Sequence, residues 1–247
     1  MKTGLEMGVF PRIKKFLLLL FKQLFPPACP LCGHTLSSKD TDVLCTECLA
    51  GFKALPDAHC PTCALPFSGG SNSSHLCGRC TVHPPAYVKV YAVGLYEQSL
   101  RQAIHQFKFS RKVGLDRSLG VLLDEVVASD LTLDLVVPVP LYRKRLQQRS
   151  YNQALLLARE FARIRKLSVP TDLLLKVRDT EPQQGLSAKQ RGQNLQGVFN
   201  LQGSVSGATV LLVDDVLTTG ATVEACSQVL LAGGAKAVYV AVIGRAA

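Results

Sequence analysis

Two adjacent carboxylates, Asp214 and Asp215, follow four apolar residues in VLLVDDVLTTGAT (residues 210–222) and lead into two threonines and a glycine. Carboxylates where a buried strand emerges can accept hydrogen bonds from vicinal hydroxyls such as those of a ribose. Thr218, Thr219, Gly220, Ala221 and Thr222 supply backbone N–H groups, hydroxyls and the start of a helix expected near Ala221, which suits a phosphate. A strand end that merely caps a helix uses one Asp and leaves the second repelling it to no benefit. The stretch therefore describes a site for a ribose 5-phosphate. Neither G-x-x-x-x-G-K-[ST] nor G-x-G-x-x-G occurs, so the common nucleotide and dinucleotide loops are set aside.

A second chemistry lies in the cysteines. Eight of the nine form four C-x-x-C pairs, CPLC, CTEC, CPTC and CGRC, with twelve residues between Cys32 and Cys45 and thirteen between Cys63 and Cys77. Each pair can hold half of a tetrahedral zinc shell. Four pairs predict two structural Zn(2+) sites, most simply Cys29, Cys32, Cys45, Cys48 and Cys60, Cys63, Cys77, Cys80. Spacing leaves an interleaved pairing open. Nothing marks the chain for export, which disfavours a disulfide framework. Such a short segment has too little apolar content for its own core, so metal is expected to supply its folding energy. His34, His59, His75 and His83 lie nearby and are read as surface residues, and Cys226 as a buried apolar side chain.

The elements that must position these groups follow from the apolar patterning. Strand and helix alternate after residue 85: YVKVYAVGLY, LDLVVPVP, ATVLLVDD and KAVYVAVIG read as strands. LRQAIHQFKF, LGVLLDEVVA, YNQALLLAREFARIRK and GATVEACSQVLLAGGA read as helices. That alternation predicts an α/β fold, a mostly parallel sheet flanked by helices, with ligands beyond the carboxyl ends of its strands. Three segments are expected: an N-terminal helix over 1–25, a double zinc ribbon over 26–84 and the α/β domain over 85–247.

The formal net charge of +10 points to an anionic partner. Residues 26–85, with three Lys/Arg against four acids, do not share in it. Residues 143–166 hold eight Lys/Arg against Glu160 alone, yet part of that run is the outer face of an amphipathic helix. With no Trp and six Tyr there is no aromatic stripe for stacking bases, so direct DNA binding is secondary. The apolar run of residues 16–21 is too short to span a bilayer. A cytoplasmic protein is expected, with contact at the inner face of the membrane the alternative.

The stretch at 210–222 closely resembles the signature by which type I phosphoribosyltransferases bind 5-phosphoribosyl 1-pyrophosphate (PRPP). PVPLYRKRLQQRSYNQA, QQGLSAKQRGQNLQGVF and the C-x-x-C module ahead of them resemble the ComF/GntX family, associated with competence and the use of external DNA. The resemblance spans about residues 26–245 and departs at Ser150-Tyr151, where the family usually carries Gly-Phe. It implies a type I phosphoribosyltransferase-like sheet preceded by a double zinc ribbon, with Asp214 and Asp215 on the ribose hydroxyls and residues 218–222 on the 5′-phosphate. Mg(2+) would accompany PRPP. Arg143, Lys144 and Arg145 would lie near the pyrophosphate, Arg191 and Asn194 in a lid, and Lys108 would face the same cleft.

Two functions are weighed. One is a phosphoribosyltransferase acting on an unknown acceptor, without glutaminase activity, because the chain opens Met1-Lys2-Thr3 rather than on a cysteine. The other is a non-catalytic PRPP-binding partner of DNA-uptake proteins.

Overall fold

The computed structural model describes residues 27–37, 44–67, 73–109, 114–179 and 197–247. The expected N-terminal helix, Arg191 and Asn194 lie outside the described residues. The chain divides into two compact units, Met1–Leu49 and Ala50–Ala247. In the first, Cys29, Leu44 and Cys45 are buried and a short helix α1 (Thr46–Ala50) begins.

The second unit carries α2 (Gly78–Val82), β1 (Val90–Leu95), α3 (Gln98–Phe109), α4 (Leu115–Val126), β2 (Leu135–Pro138), α5 (Arg143–Arg149) and α6 (Gln153–Arg165). After these come β3 (Leu174–Lys176), β4 (Phe199–Leu201), β5 (Thr209–Leu217), α7 (Ala221–Ala232) and β6 (Ala237–Arg245). The main sheet has the order β1-β6-β5-β2, with every pairing parallel. Strands covered on both faces read as unbroken apolar runs, and Val210, Leu211, Leu212 and Val213 at the centre of β5 are fully buried. β3 and β4 form a separate antiparallel pair.

Helix α6 shows how sequence makes these elements. Asn152 caps it by accepting from the Ala154 N–H at 3.0 Å. Ala154, Leu157, Ala158 and Phe161 then recur at helical spacing and are buried. Gly120 of α4 lets α6 approach closely, since a Cβ there would lie 2.5 Å from that of Glu160.

The second Cys cluster is not an appendage to this unit. Cys60, Cys63, Cys77 and Cys80 share one apolar core with Val137, Val210, Leu212 and Val240. The Val90 N–H donates to the Thr62 carbonyl at 2.8 Å, joining β1 to the loop between Cys60 and Cys63. Among the described residues no helix is long and apolar enough to cross a membrane.

Candidate functional site

β5 does not stop at the acidic pair. It runs on to Leu217, pairing with β6 as far as Arg245. Successive side chains of a strand point to opposite faces, and the two carboxylates separate accordingly. Asp215 forms an ion pair with Lys108 of α3, Oδ1 to Nζ 2.8 Å, with side chains only 12% and 16% exposed. Asp214 accepts from the Asp215 N–H at 2.8 Å. Burial, then the charge of Asp215, push the Asp214 carboxyl up to about 7.

Lys108 is placed by the chain that follows β2. The Tyr151 hydroxyl donates to the Phe107 carbonyl. Gln153 Nε2 reaches the Lys108 carbonyl at 3.5 Å, and Asn152 Nδ2 the Val139 carbonyl at 3.0 Å. Residues 151–153 thus clasp the end of α3 to the end of β2. The departure at 150–151 has a local account. Ser150 closes α5 at φ 68°, the left-handed region that favours glycine. Tyr151 differs from Phe by the hydroxyl that makes this bond.

Asp214 and residues 216–223 line one cleft. Gly220 precedes α7 at φ +78°, a conformation L side chains rarely adopt, and its carbonyl accepts the Glu224 N–H at 2.9 Å. The Thr219 hydroxyl is buried without a hydrogen-bond partner. A buried orphan donor beside a helix N-terminus is an anion-binding arrangement. The structure therefore gathers Asp214, Thr218, Thr219, Gly220, Ala221 and Thr222 round one space, with Asp215 on the other face of the strand.

Behind the loop stand groups that sequence reasoning did not single out. Arg79, between Cys77 and Cys80, donates to the Thr219 carbonyl. Arg245, buried at the end of β6, donates through Nη1 to the carbonyls of Thr218 at 2.8 Å and Leu217 at 3.2 Å, and through Nε to that of Cys63 at 2.9 Å. Glu224 accepts the Ala86 N–H at 3.0 Å, fixing the ribbon junction to the first turn of α7. Nothing in the periodicity of KAVYVAVIGR marks its last residue. Only the CGRC spacing, which puts Arg79 inside a metal knuckle, carried a signal.

Arg143, Lys144 and Arg145, in a stretch assigned to no helix or strand from the sequence, form the first turn of helix α5. Arg143 lines a separate cavity of about 760 Å³ with Pro138, Tyr142, Tyr151, Asn152 and Lys176. Burial, then the nearby Arg145 charge, hold the Lys176 ammonium below its ordinary value. Lys144 is exposed.

The cysteines gather sequentially. In both clusters, Cys29, Cys32, Cys45, Cys48 and Cys60, Cys63, Cys77, Cys80, the four sulfurs lie within 4.8 Å of one another. Cys32 and Cys45 Sγ are 3.6 Å apart, as are those of Cys63 and Cys77. Ligands at a Zn–S distance of about 2.3 Å stand about 3.8 Å apart in a tetrahedron, so the four-thiolate sets fit zinc. The Cys45 N–H points at Cys29 Sγ (3.5 Å) and the Cys77 N–H at Cys60 Sγ (3.4 Å). Burial pushes the Cys29 and Cys60 thiols up, but such backbone donors more than offset it and bring both to about 7. These are two four-cysteine zinc-binding sites with no open coordination position.

Fold and clusters together define a phosphoribosyltransferase-type domain joined to a double zinc ribbon. Residues 20–81 match the double zinc ribbon domain family and residues 152–246 the phosphoribosyl transferase domain family. The DNA utilization protein YhgH of Escherichia coli K12 is 36% identical over 224 residues, covering 87% of this chain and 95% of that protein. Competence protein F of Haemophilus influenzae is 34% identical over 215 residues, 82% and 90% of the two chains. Competence protein ComFC of Streptococcus pneumoniae is 27% identical over 224 residues, 84% and 95%. The chain belongs to the ComF/GntX family.

Proposed function

We propose that residues 85–247 bind PRPP and transfer its phosphoribosyl group to an acceptor. The carrying observation is the cleft that joins the Asp214 carboxylate to residues 218–222, one of which, Thr219, has a buried hydroxyl without a hydrogen-bond partner. In this reading the loop N–H groups and Thr219 take the 5′-phosphate, and Asp214 takes a ribose hydroxyl. Asp215 acts alongside, its carboxylate held by Lys108. Lys108, with Arg143 from the neighbouring cavity and the exposed Lys144, would supply positive charge to a pyrophosphate extending beyond the cleft, and Arg191 is proposed to join them. Asp214 and the diphosphate oxygens would hold Mg(2+), which neutralises charge on the leaving group.

The bond from ribose C1 to the pyrophosphate oxygen breaks, and its electron pair leaves with pyrophosphate. The acceptor's lone pair forms the new bond to C1, and the acceptor's proton passes to solvent. The names of the relatives, a DNA utilization protein and a competence protein, support a place for this chemistry in DNA utilization, and the ribbons are proposed as docking surface for proteins of that process.

Phosphorus NMR tests the reading directly. The 5′-phosphate resonance of PRPP should shift or broaden on adding the protein, and do so far less with Thr219→Val. Equal perturbation by both would remove the loop from the site. Pyrophosphate release on adding candidate nucleobases then separates turnover from binding alone.

A further inference from the structure

Two guanidinium groups hold the phosphate loop from behind, and the reaction above gives them no part. Arg245 donates to the carbonyls of Leu217 and Thr218, and Arg79 to that of Thr219, so two guanidinium groups hold three consecutive carbonyls, the first of which also accepts the Ala246 N–H after β6. In a trans peptide the C=O and the next N–H point in opposite directions. Holding the carbonyls of residues 217–219 therefore also fixes the direction of the N–H groups of Thr218, Thr219 and Gly220, residues that line the cleft. An extended chain alternates its carbonyls. Holding three in succession, ahead of Gly220 at φ +78°, suits a concave N–H array of the kind that binds anions.

Both arginines are also anchored in the second Cys cluster. Arg79 lies between the ligands Cys77 and Cys80, and Arg245 Nε donates to the carbonyl of Cys63 at 2.9 Å. The Glu224 contact with the Ala86 N–H fixes the same junction to the first turn of α7. We infer that Arg79 and Arg245 are positioning residues that orient the phosphate loop, so that the fold of the second zinc ribbon sets affinity for the 5′-phosphate. This rests on reading residues 218–222 as a phosphate cradle. Zinc held by Cys60, Cys63, Cys77 and Cys80 would act on the ligand without touching it.

Arg79 is exposed, so its replacement leaves the core packing in place. The test uses the full chain carrying Arg79→Ala or Arg79→Lys. Three quantities are measured: zinc per chain, the amide NMR shifts of Thr218, Thr219 and Gly220, and the dissociation constant for PRPP. Arg79→Ala should keep its zinc, move the three amide signals, and bind PRPP at least tenfold more weakly. Lysine, which keeps the charge but not the planar fork, should restore part of the loss. Wild-type amide shifts and affinity in Arg79→Ala would overturn the inference. If the wild type itself fails to bind PRPP, the proposed function falls and the amide shifts alone decide the positioning role. Should Arg79→Ala lose zinc, the lysine variant decides by the same readouts.

Discussion

Asp214→Asn should make the protein more stable at alkaline pH while removing its ligand. Burial and the neighbouring Asp215 raise the Asp214 carboxyl from 3.8 to about 7. A raised carboxyl means that between about pH 4 and pH 7 the folded chain keeps a proton the unfolded chain has released. Stability therefore falls as pH rises through that window and levels off above it. A rise of about three units, at ~1.36 kcal/mol each, sets the scale at about 4 kcal/mol. Asparagine carries no charge and its oxygen can still accept the Asp215 N–H, so the variant should escape the decline. Urea unfolding of the full chain, following the sheet-bearing unit, is the assay. At pH 8 the variant should exceed the wild type by about 2–4 kcal/mol, and by about 2–3 kcal/mol less at pH 4.5. An equal difference at both pH values, or a less stable variant at pH 8, would refute the reasoning.

Other outcomes follow from the same geometry. Lys108→Met and Asp215→Asn should each cost about 3 kcal/mol, because each strands a largely buried partner, and the double variant should recover much of that in a double-mutant cycle. Ser150→Gly should add about 0.5–1 kcal/mol by relieving the left-handed residue at the end of α5, read as a higher urea midpoint with an unchanged slope. Metal analysis should find two zinc ions per chain. Chelating the ion held by Cys60, Cys63, Cys77 and Cys80 should lower the thermal midpoint of the sheet itself, since those side chains lie in its core. An unchanged midpoint after that zinc has gone would contradict the shared core.

How much could be read from the chain depended on how local the cause was. The C-x-x-C pairs carry their own geometry, so the eight ligands were legible residue by residue, while their sequential grouping came from the fold. β5 and β6 are apolar runs buried on both faces, and Asn152 and Gly233 mark helix ends in plain sight. β3 and β4 have three residues each, too few for an alternation to show, and they exist through pairing with each other. The continuation of β5 past the acidic pair comes from its register with β6, which reaches Gly244 and Arg245. That extension parts Asp214 from Asp215, whose adjacency in sequence suggested a shared role. Helix α5 was not legible because it opens on three cations and buries no residue, which leaves no apolar periodicity to read. The arginines that hold the loop before α7 were least visible. Arg79 and Arg245 meet that loop across 140 and 27 positions of sequence, and only the fold brings them there.

One cleft, built from Asp214 and the loop before α7, is the proposed site for PRPP. The most direct test is a calorimetric titration of the full chain with PRPP and Mg(2+) at pH 8, for the wild type and for Asp214→Asn. Saturable one-to-one binding by the wild type, lost or weakened at least tenfold in the variant, is the predicted result. No binding by the wild type, or equal binding by the two, would contradict it.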